Sequence, residues 1–192
     1  MESWADVGAP GIEREAVVSR GAGRYLVLVD DWQFECCGEP FGIGDEVAWT
    51  LELIDGSRYP AEFHVTLSGE LFELEREVEP SRVARPDGIS RALRVGQLTV
   101  AVAPFGDPPI SGVLHEDHHD GLPASLPPTR GVVTSIAVRS ERFTIEGNTW
   151  TPIPRSTTTR KVERTPQGFR FRGSSGSTGE SETGLLVGLR VL

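Results

Sequence analysis

Two thiols stand side by side in the segment Asp30-Asp31-Trp32-Gln33-Phe34-Glu35-Cys36-Cys37-Gly38-Glu39-Pro40-Phe41, and three of the four histidines gather in His115-Glu116-Asp117-His118-His119. Thiolate sulfur and neutral imidazole nitrogen are the ligand types that zinc prefers. Cys36, Cys37, His115, His118 and His119 are therefore candidate ligands of one zinc ion, if the fold brings the two segments together. The spacing supports this in part. Adjacent residues on a strand point to opposite faces, so both sulfurs reach one ion only where the chain turns, as Gly38 and Pro40 allow. His115 and His119 share a face on a strand or a helical turn, and His118 joins them only in a helical or irregular segment. Glu116, Asp117 and Asp120 are available to accept from imidazole N–H groups. If a metal is held here, a structural role is expected rather than a catalytic one, because a catalytic zinc also needs an open coordination position and a placed base.

The same residues have a second reading. Free cysteine is among the most buried residue types, so Cys36 and Cys37 fit a core beneath the tryptophans, and the histidines fit a solvated loop between prolines. A cysteine nucleophile with a histidine base is formally available, but no local signature marks one. Phe34, Phe41, Trp32 and Trp49 suit an aromatic cleft, although alternating aromatics on strands are more often core. Asp30, Asp31 and Glu35 match no calcium loop. Neither a phosphate-cradling glycine loop nor a Gly-x-Ser-x-Gly elbow is present.

The elements that must position these groups read as strands, since most apolar residues recur with a period of two. Strands are expected over residues 24–29, over 46–54 with Val47, Trp49, Leu51 and Leu53 on one face, and over 59–67 after an Asp55-Gly56 hairpin turn. Residues 71–78 fit a strand or a Glu-rich helix and are taken as a strand. Residues 93–102 form a strand bent at Gly96. Residues 103–129 hold six prolines and read as a long irregular loop carrying the histidines. Strands follow at 131–138, at 143–145 and 150–153 around a Glu146-Gly147-Asn148 turn, and at 157–162 and 169–171 around Thr165 to Gly168. The Gly/Ser-rich stretch 173–184 reads as a flexible loop and 185–192 as a closing strand. The expected class is all-β, a small barrel or sandwich of about ten short antiparallel strands with long loops. Residues 1–22 read as a loose leader and 23–192 as one domain, or as two subdomains, 23–103 and 130–192, joined by the Pro/His-rich loop.

The chain has 192 residues and a formal net charge of -9, which argues against general nucleic-acid binding. Its distribution is uneven. Residues 1–129 carry 9 Arg/Lys against 23 Asp/Glu, whereas residues 130–172 carry 9 against 3. Such an asymmetry fits charge complementarity within one fold, or a surface for an anionic partner. No apolar run is long enough to span a bilayer and the N-terminus lacks a signal-peptide pattern, so a cytoplasmic protein is expected. Two cysteines cannot build a disulfide framework, and adjacent ones bridge only through a strained ring, so reduced thiols are expected.

The motifs Asp31-Trp32-Gln33, Cys36-Cys37-Gly38-Glu39-Pro40-Phe41, Gly44-Asp45-Glu46-Val47-Ala48-Trp49 and Leu114-His115-Glu116-Asp117-His118-His119 together resemble an uncharacterised family of small actinobacterial proteins, a domain of unknown function. The resemblance runs over residues 24–140. It implies a shared fold and no reaction, and the arginine-rich, nearly lysine-free composition agrees with a GC-rich source. The functional expectation is a binding or scaffold module, with or without a structural zinc, for an unidentified protein or small ligand. Two alternatives stand beside it: a metal- or cysteine-dependent enzyme of hydrolase type built on the Cys/His cluster, and nucleic-acid binding through residues 130–172.

Overall fold

The structure, a computed structural model, describes residues 23–75, 90–102, 106–117, 121–146, 149–173 and 178–192. Among these the elements are β1 (Arg24–Asp30), α1 (Asp31–Cys37), β2 (Glu46–Trp49), β3 (Leu51–Ile54), a 3-10 turn (Ala61–Phe63), β4 (Val65–Leu67), β5 (Glu70–Glu73), β6 (Arg91–Val95), β7 (Leu98–Val102), β8 (Ile110–Glu116), β9 (Thr129–Glu146), β10 (Thr149–Pro152), β11 (Thr158–Val162), β12 (Phe171–Gly173) and β13 (Thr178–Val191). The all-β expectation holds. The main path through the sheet is β10-β9-β13-β1-β8-β3-β7-β6-β5. Its ends, β10 and β5, do not pair, so the sheet is not closed into a barrel.

The sheet is mixed rather than purely antiparallel, because β1 pairs in parallel with β8 and β3 in parallel with β7. β9 and β13 form its long axis, in register from Gly131↔Val191 to Thr144↔Thr178 with two irregularities. Along its other edge β9 pairs in turn with β2, β11 and β10. Beyond Arg139, the outer halves of β9 and β13 continue with β10 and β12 as an arm.

Alternation assigns the faces. Val27 and Val29, Leu51, Val100, Leu114, Ile136 and Val138, and Leu185, Val187 and Leu189 all fall in one main apolar cluster. Each such side chain contributes roughly 1.5–3 kcal/mol when fully buried. Phe34 of α1 packs into this cluster edge-on to Phe41 and to Phe169, and Phe41 meets Trp49 in the same way. The opposite face holds a smaller cluster of Leu28, Tyr59, Phe63, Val113 and Leu186. Tyr59 and Phe63 come from the connection between β3 and β4, which lies over that face.

Several local expectations are corrected. Residues 31–37 form a helix, too short to display a 3.6-residue period. The expected 46–54 strand breaks at Thr50: β2 pairs with β9, whereas β3 pairs with β8 and β7. No hairpin joins β3 to β4, since β4 pairs with β8 and Asp55 instead holds the Ser57 amide in a side-chain turn. Gly96, at φ +60°, turns a β6/β7 hairpin rather than bending one strand. The supposed loop 103–129 contains β8, and the supposed Gly/Ser loop is a strand from Thr178 onward. β11 and β12 pair with β9 and β13, not with each other. Of residues 71–78, the first three extend β5, which begins at Glu70. The 1–22 leader and residues 76–78 lie outside the described residues.

Candidate functional site

The two chemistry-bearing segments do meet, through Asp30 and His115 rather than through the cysteines. Parallel pairing sets Leu28 beside His115, and Asp30, two residues on, points from the same face. On the other side of His115, β3 places Glu52 directly opposite. The ring is held at both nitrogens: Nδ1 lies 2.9 Å from Glu52 Oε1 and Nε2 lies 3.2 Å from Asp30 Oδ2.

The row continues across the sheet. Asp30 pairs with Gly184 of β13, and Gly184 pairs with Arg139 of β9. The Arg139 guanidinium reaches past Gly184, and Nη2 donates to Asp30 Oδ1 at 2.7 Å and to the Thr183 carbonyl at 2.6 Å. The register irregularity between Glu182 and Gly184 surrounds Thr183, the residue whose carbonyl accepts this bond. Nη1 donates to Glu141 Oε1 at 3.2 Å. Arg139 is 1% exposed, and its guanidinium also lies 5.5 Å from the centre of the Tyr59 ring. Glu52, His115, Asp30, Arg139 and Glu141 thus alternate in sign along one line.

Buried charges require such pairing. Burial opposes ionisation of Asp30. The hydrogen bond and charge of His115 and the charge and hydrogen bond of Arg139 outweigh it, and the carboxyl is lowered to about 2. Burial likewise opposes the His115 imidazolium, but its bonds to Asp30 and Glu52 and their charges raise the ring to about 9. A doubly protonated, doubly bonded imidazole offers no lone pair to a metal and no free nitrogen to a substrate. The row clamps strands together.

The remaining candidate residues are placed as follows. Cys36 and Cys37 are exposed in the last turn of α1, outside the core that the packing interpretation assigned them, and they form no disulfide. His115 is buried on β8 rather than solvated in a loop. His118, His119 and Asp120 lie outside the described residues. Among the described residues, no group of three or more His, Cys, Asp or Glu side chains is arranged to hold a metal ion. Phe34, Phe41 and Trp49 are core, whereas Trp32 is exposed.

A different feature emerges on the arm. The face of β9 that carries Arg139 and Glu141 carries Phe143 next, beyond the cover of Tyr59 and Phe63. There Phe143 lies 6.1 Å from Trp150 of β10, and Trp150 lies 4.6 Å from Phe171 of β12, measured between ring centres. Trp150 is 43% exposed and Phe171 53%. Gly179, directly opposite Phe143 on β13, leaves room for the rings to lie across the sheet. On the reverse face Ser140, Thr158, Arg160, Arg170, Glu180 and Glu182 line a polar groove of about 220 Å³. Within it Glu182 accepts from Arg160 Nη2 at 2.9 Å and from the Arg170 amide at 2.8 Å.

Reading the sequence alone misses Glu52, Arg139 and the Phe143/Trp150/Phe171 cluster. A signal for Arg139 exists, since it stands at an alternating position between Ala137 and Glu141 within a long β-favouring run. Phe143 and Trp150 lie on the two strands of the expected 143–153 hairpin, but nothing local connects Phe171 to them.

These features define an all-β protein with an open mixed sheet, a buried row of ion pairs across its strands and an aromatic surface at one end. Residues 23–191 match the model of the family of unknown function DUF6578, and the chain belongs to that family. No curated protein and no solved structure matches it.

Proposed function

We propose that this protein is a binding module that engages a partner polypeptide on the open face of the arm, with Trp150 and Phe171 as anchors. The observation that carries this reading is the exposure of two large aromatic side chains on one sheet face beside Phe143. Aromatic residues are enriched at interface cores, where they contribute a disproportionate share of binding energy. The buried ion row lies on the same face of β9, and it supports the reading as a rigid base for the arm.

A peptide fits this face better than a nucleic acid. Arg142 and Arg160 fall on the opposite face by alternation, and Arg170 lines the polar groove there, so these three cations do not flank the aromatic cluster. Phosphate neutralisation needs such cations beside the stacking surface. A zinc ion held through His115 is not part of this reading, because both ring nitrogens already serve carboxylates.

The test is selection of peptides from a displayed library on the folded chain, followed by titration with Trp150→Ala and Phe171→Ala. Peptides rich in apolar and aromatic residues should bind the parent chain, and each substitution should weaken binding at least tenfold. Both residues are substantially exposed, so the variants should keep the parent melting temperature within a few degrees. Undiminished peptide binding by the double variant sinks the proposal. Salt-sensitive binding of single-stranded oligonucleotides without peptide binding does so as well.

A further inference from the structure

We infer that Cys36 and Cys37 are a redox modification site, at which a peroxide closes the adjacent thiols into a disulfide and so loosens the last turn of α1 from the segment that leads into β12. Cysteine is ordinarily among the most buried residue types, yet here two in succession are exposed at the end of α1. Both sulfurs are therefore open to a dissolved oxidant. The Sγ atoms lie 2.8 Å apart. A sulfenic acid formed on either one has a resolving thiol already beside it, so ring closure competes with further oxidation to the sulfinic acid.

The reaction balances with one peroxide. One sulfur attacks the peroxide, the O–O bond breaks, and a sulfenic acid and a water result. The second sulfur then attacks the sulfenic sulfur: the S–S bond forms, the S–O bond breaks, and hydroxide leaves as water with the second thiol proton. Two thiols are oxidised and one peroxide is reduced to two waters.

The ring that results does not fit a helix. A disulfide places its Cα atoms about 4.4–6.8 Å apart, whereas neighbours across a trans peptide stand about 3.8 Å apart, so the strain falls on the backbone of the two residues. In α1 that backbone is the last turn, which closes on the bond from the Gly38 amide to the Phe34 carbonyl before Gly38 leaves in an extended conformation. The same turn holds the chain ahead of β12. Phe34 meets the Phe169 ring edge-on at 6.1 Å between centres, and Glu35 Oε1 accepts from the Phe169 amide at 3.0 Å. Phe34 is anchored in the core, whereas the Glu35 bond is exposed and adjoins Cys36, so the Glu35 bond is the one that yields. Strained and exposed disulfides are the readily reduced ones, which makes the change reversible by a dithiol.

The test uses the reduced full chain and hydrogen peroxide. Near-equimolar peroxide should remove two hydrogens from the intact monomer mass and block alkylation of both cysteines, and dithiothreitol should reverse both changes. Exchange of the Phe169 amide, followed by NMR, should quicken by about tenfold or more on oxidation and return on reduction. Cys36→Ser and Cys37→Ser should match the parent in circular dichroism. Under the same peroxide they should gain oxygen or dimerise rather than lose two hydrogens, and they should keep the exchange rate that Phe169 has in the reduced parent. A parent that gains oxygen or forms intermolecular dimers without closing the monomer ring overturns the inference. So does a closed ring that leaves Phe169 exchange unchanged. None of these outcomes depends on the aromatic face.

Discussion

Stability should fall between about pH 6.5 and pH 9, because His115 is ionised in the folded chain well above the range where a free imidazole deprotonates. The folded value of about 9 stands above the ordinary 6.5, so the contribution is fully present below 6.5 and is lost as pH rises through 9. At 1.36 kcal/mol per pH unit this amounts to roughly 3 kcal/mol, or about 6–12 °C in melting temperature for a domain of this size. Asp30 acts at the other end. Its folded value of about 2 lies below the ordinary 3.8, so its contribution is present above 3.8 and disappears as pH falls toward 2. The two shifts share the Asp30–His115 contact and do not add. The assay is urea unfolding at pH 5.5, 7, 8 and 9, with the His115 ring followed by NMR. His115→Gln should remove the alkaline slope. It should also cost about 3–5 kcal/mol at pH 6, since it leaves Glu52, 4% exposed, and Asp30 without their shared counter-charge. A His115 midpoint near 6.5, or a stability that stays flat from pH 6.5 to 9, would refute the reasoning.

Arg139→Met should destabilise by about 3–5 kcal/mol in denaturant unfolding, because Asp30 and Glu141 both lose their buried partner. Adding Asp30→Asn should recover part of the loss, whereas strictly additive effects would show that the two side chains are uncoupled. Gly184→Ala should be worse than an ordinary surface change. Its Cβ would fall 2.1 Å from the Val29 carbonyl oxygen, at a backbone φ of +127°, so soluble expression or cooperative melting should fail. A Gly184→Ala chain that melts within a few degrees of the parent would contradict the close approach of Gly184 to the β1 backbone.

The strands at 24–29, 131–138 and 185–192 were legible because their apolar positions alternate or run unbroken. What hid β8 was its composition. In Ile110-Ser111-Gly112-Val113-Leu114-His115-Glu116 two of seven residues are ionisable, and prolines precede the run, so it reads as loop. Those ionisable residues are buried, and His115 is tolerated there because Asp30, 85 residues away, and Glu52, 63 residues away, neutralise it. The same long-range compensation conceals Arg139. Charge burial is a property of pairs, and a local pattern sees one partner at a time. Helix α1 was missed for another reason: over seven residues only Gln33 and Phe34 are buried, too few to reveal a helical period. The cysteines were legible as chemistry but not as surface, because exposure depends on what packs against α1.

The row explains how a mixed sheet of mostly short strands keeps its register. A shift of one residue in any strand exchanges its two faces. In β8 such a slip would carry His115 into the main apolar cluster, and in β1 it would carry Asp30 there, each without its partner. The cost of an unpaired buried charge far exceeds the loss of one or two ladder hydrogen bonds. Apolar alternation alone is a weaker guard in β1, where Leu26, Val27, Leu28 and Val29 are apolar on both faces. Asp30 therefore fixes what the valines and leucines leave open, and it does so at the residue where β1 passes into α1. The same line of charges ends on Arg139 and Glu141 at the root of the arm, so the register of the central strands and the position of the aromatic face are set by one network.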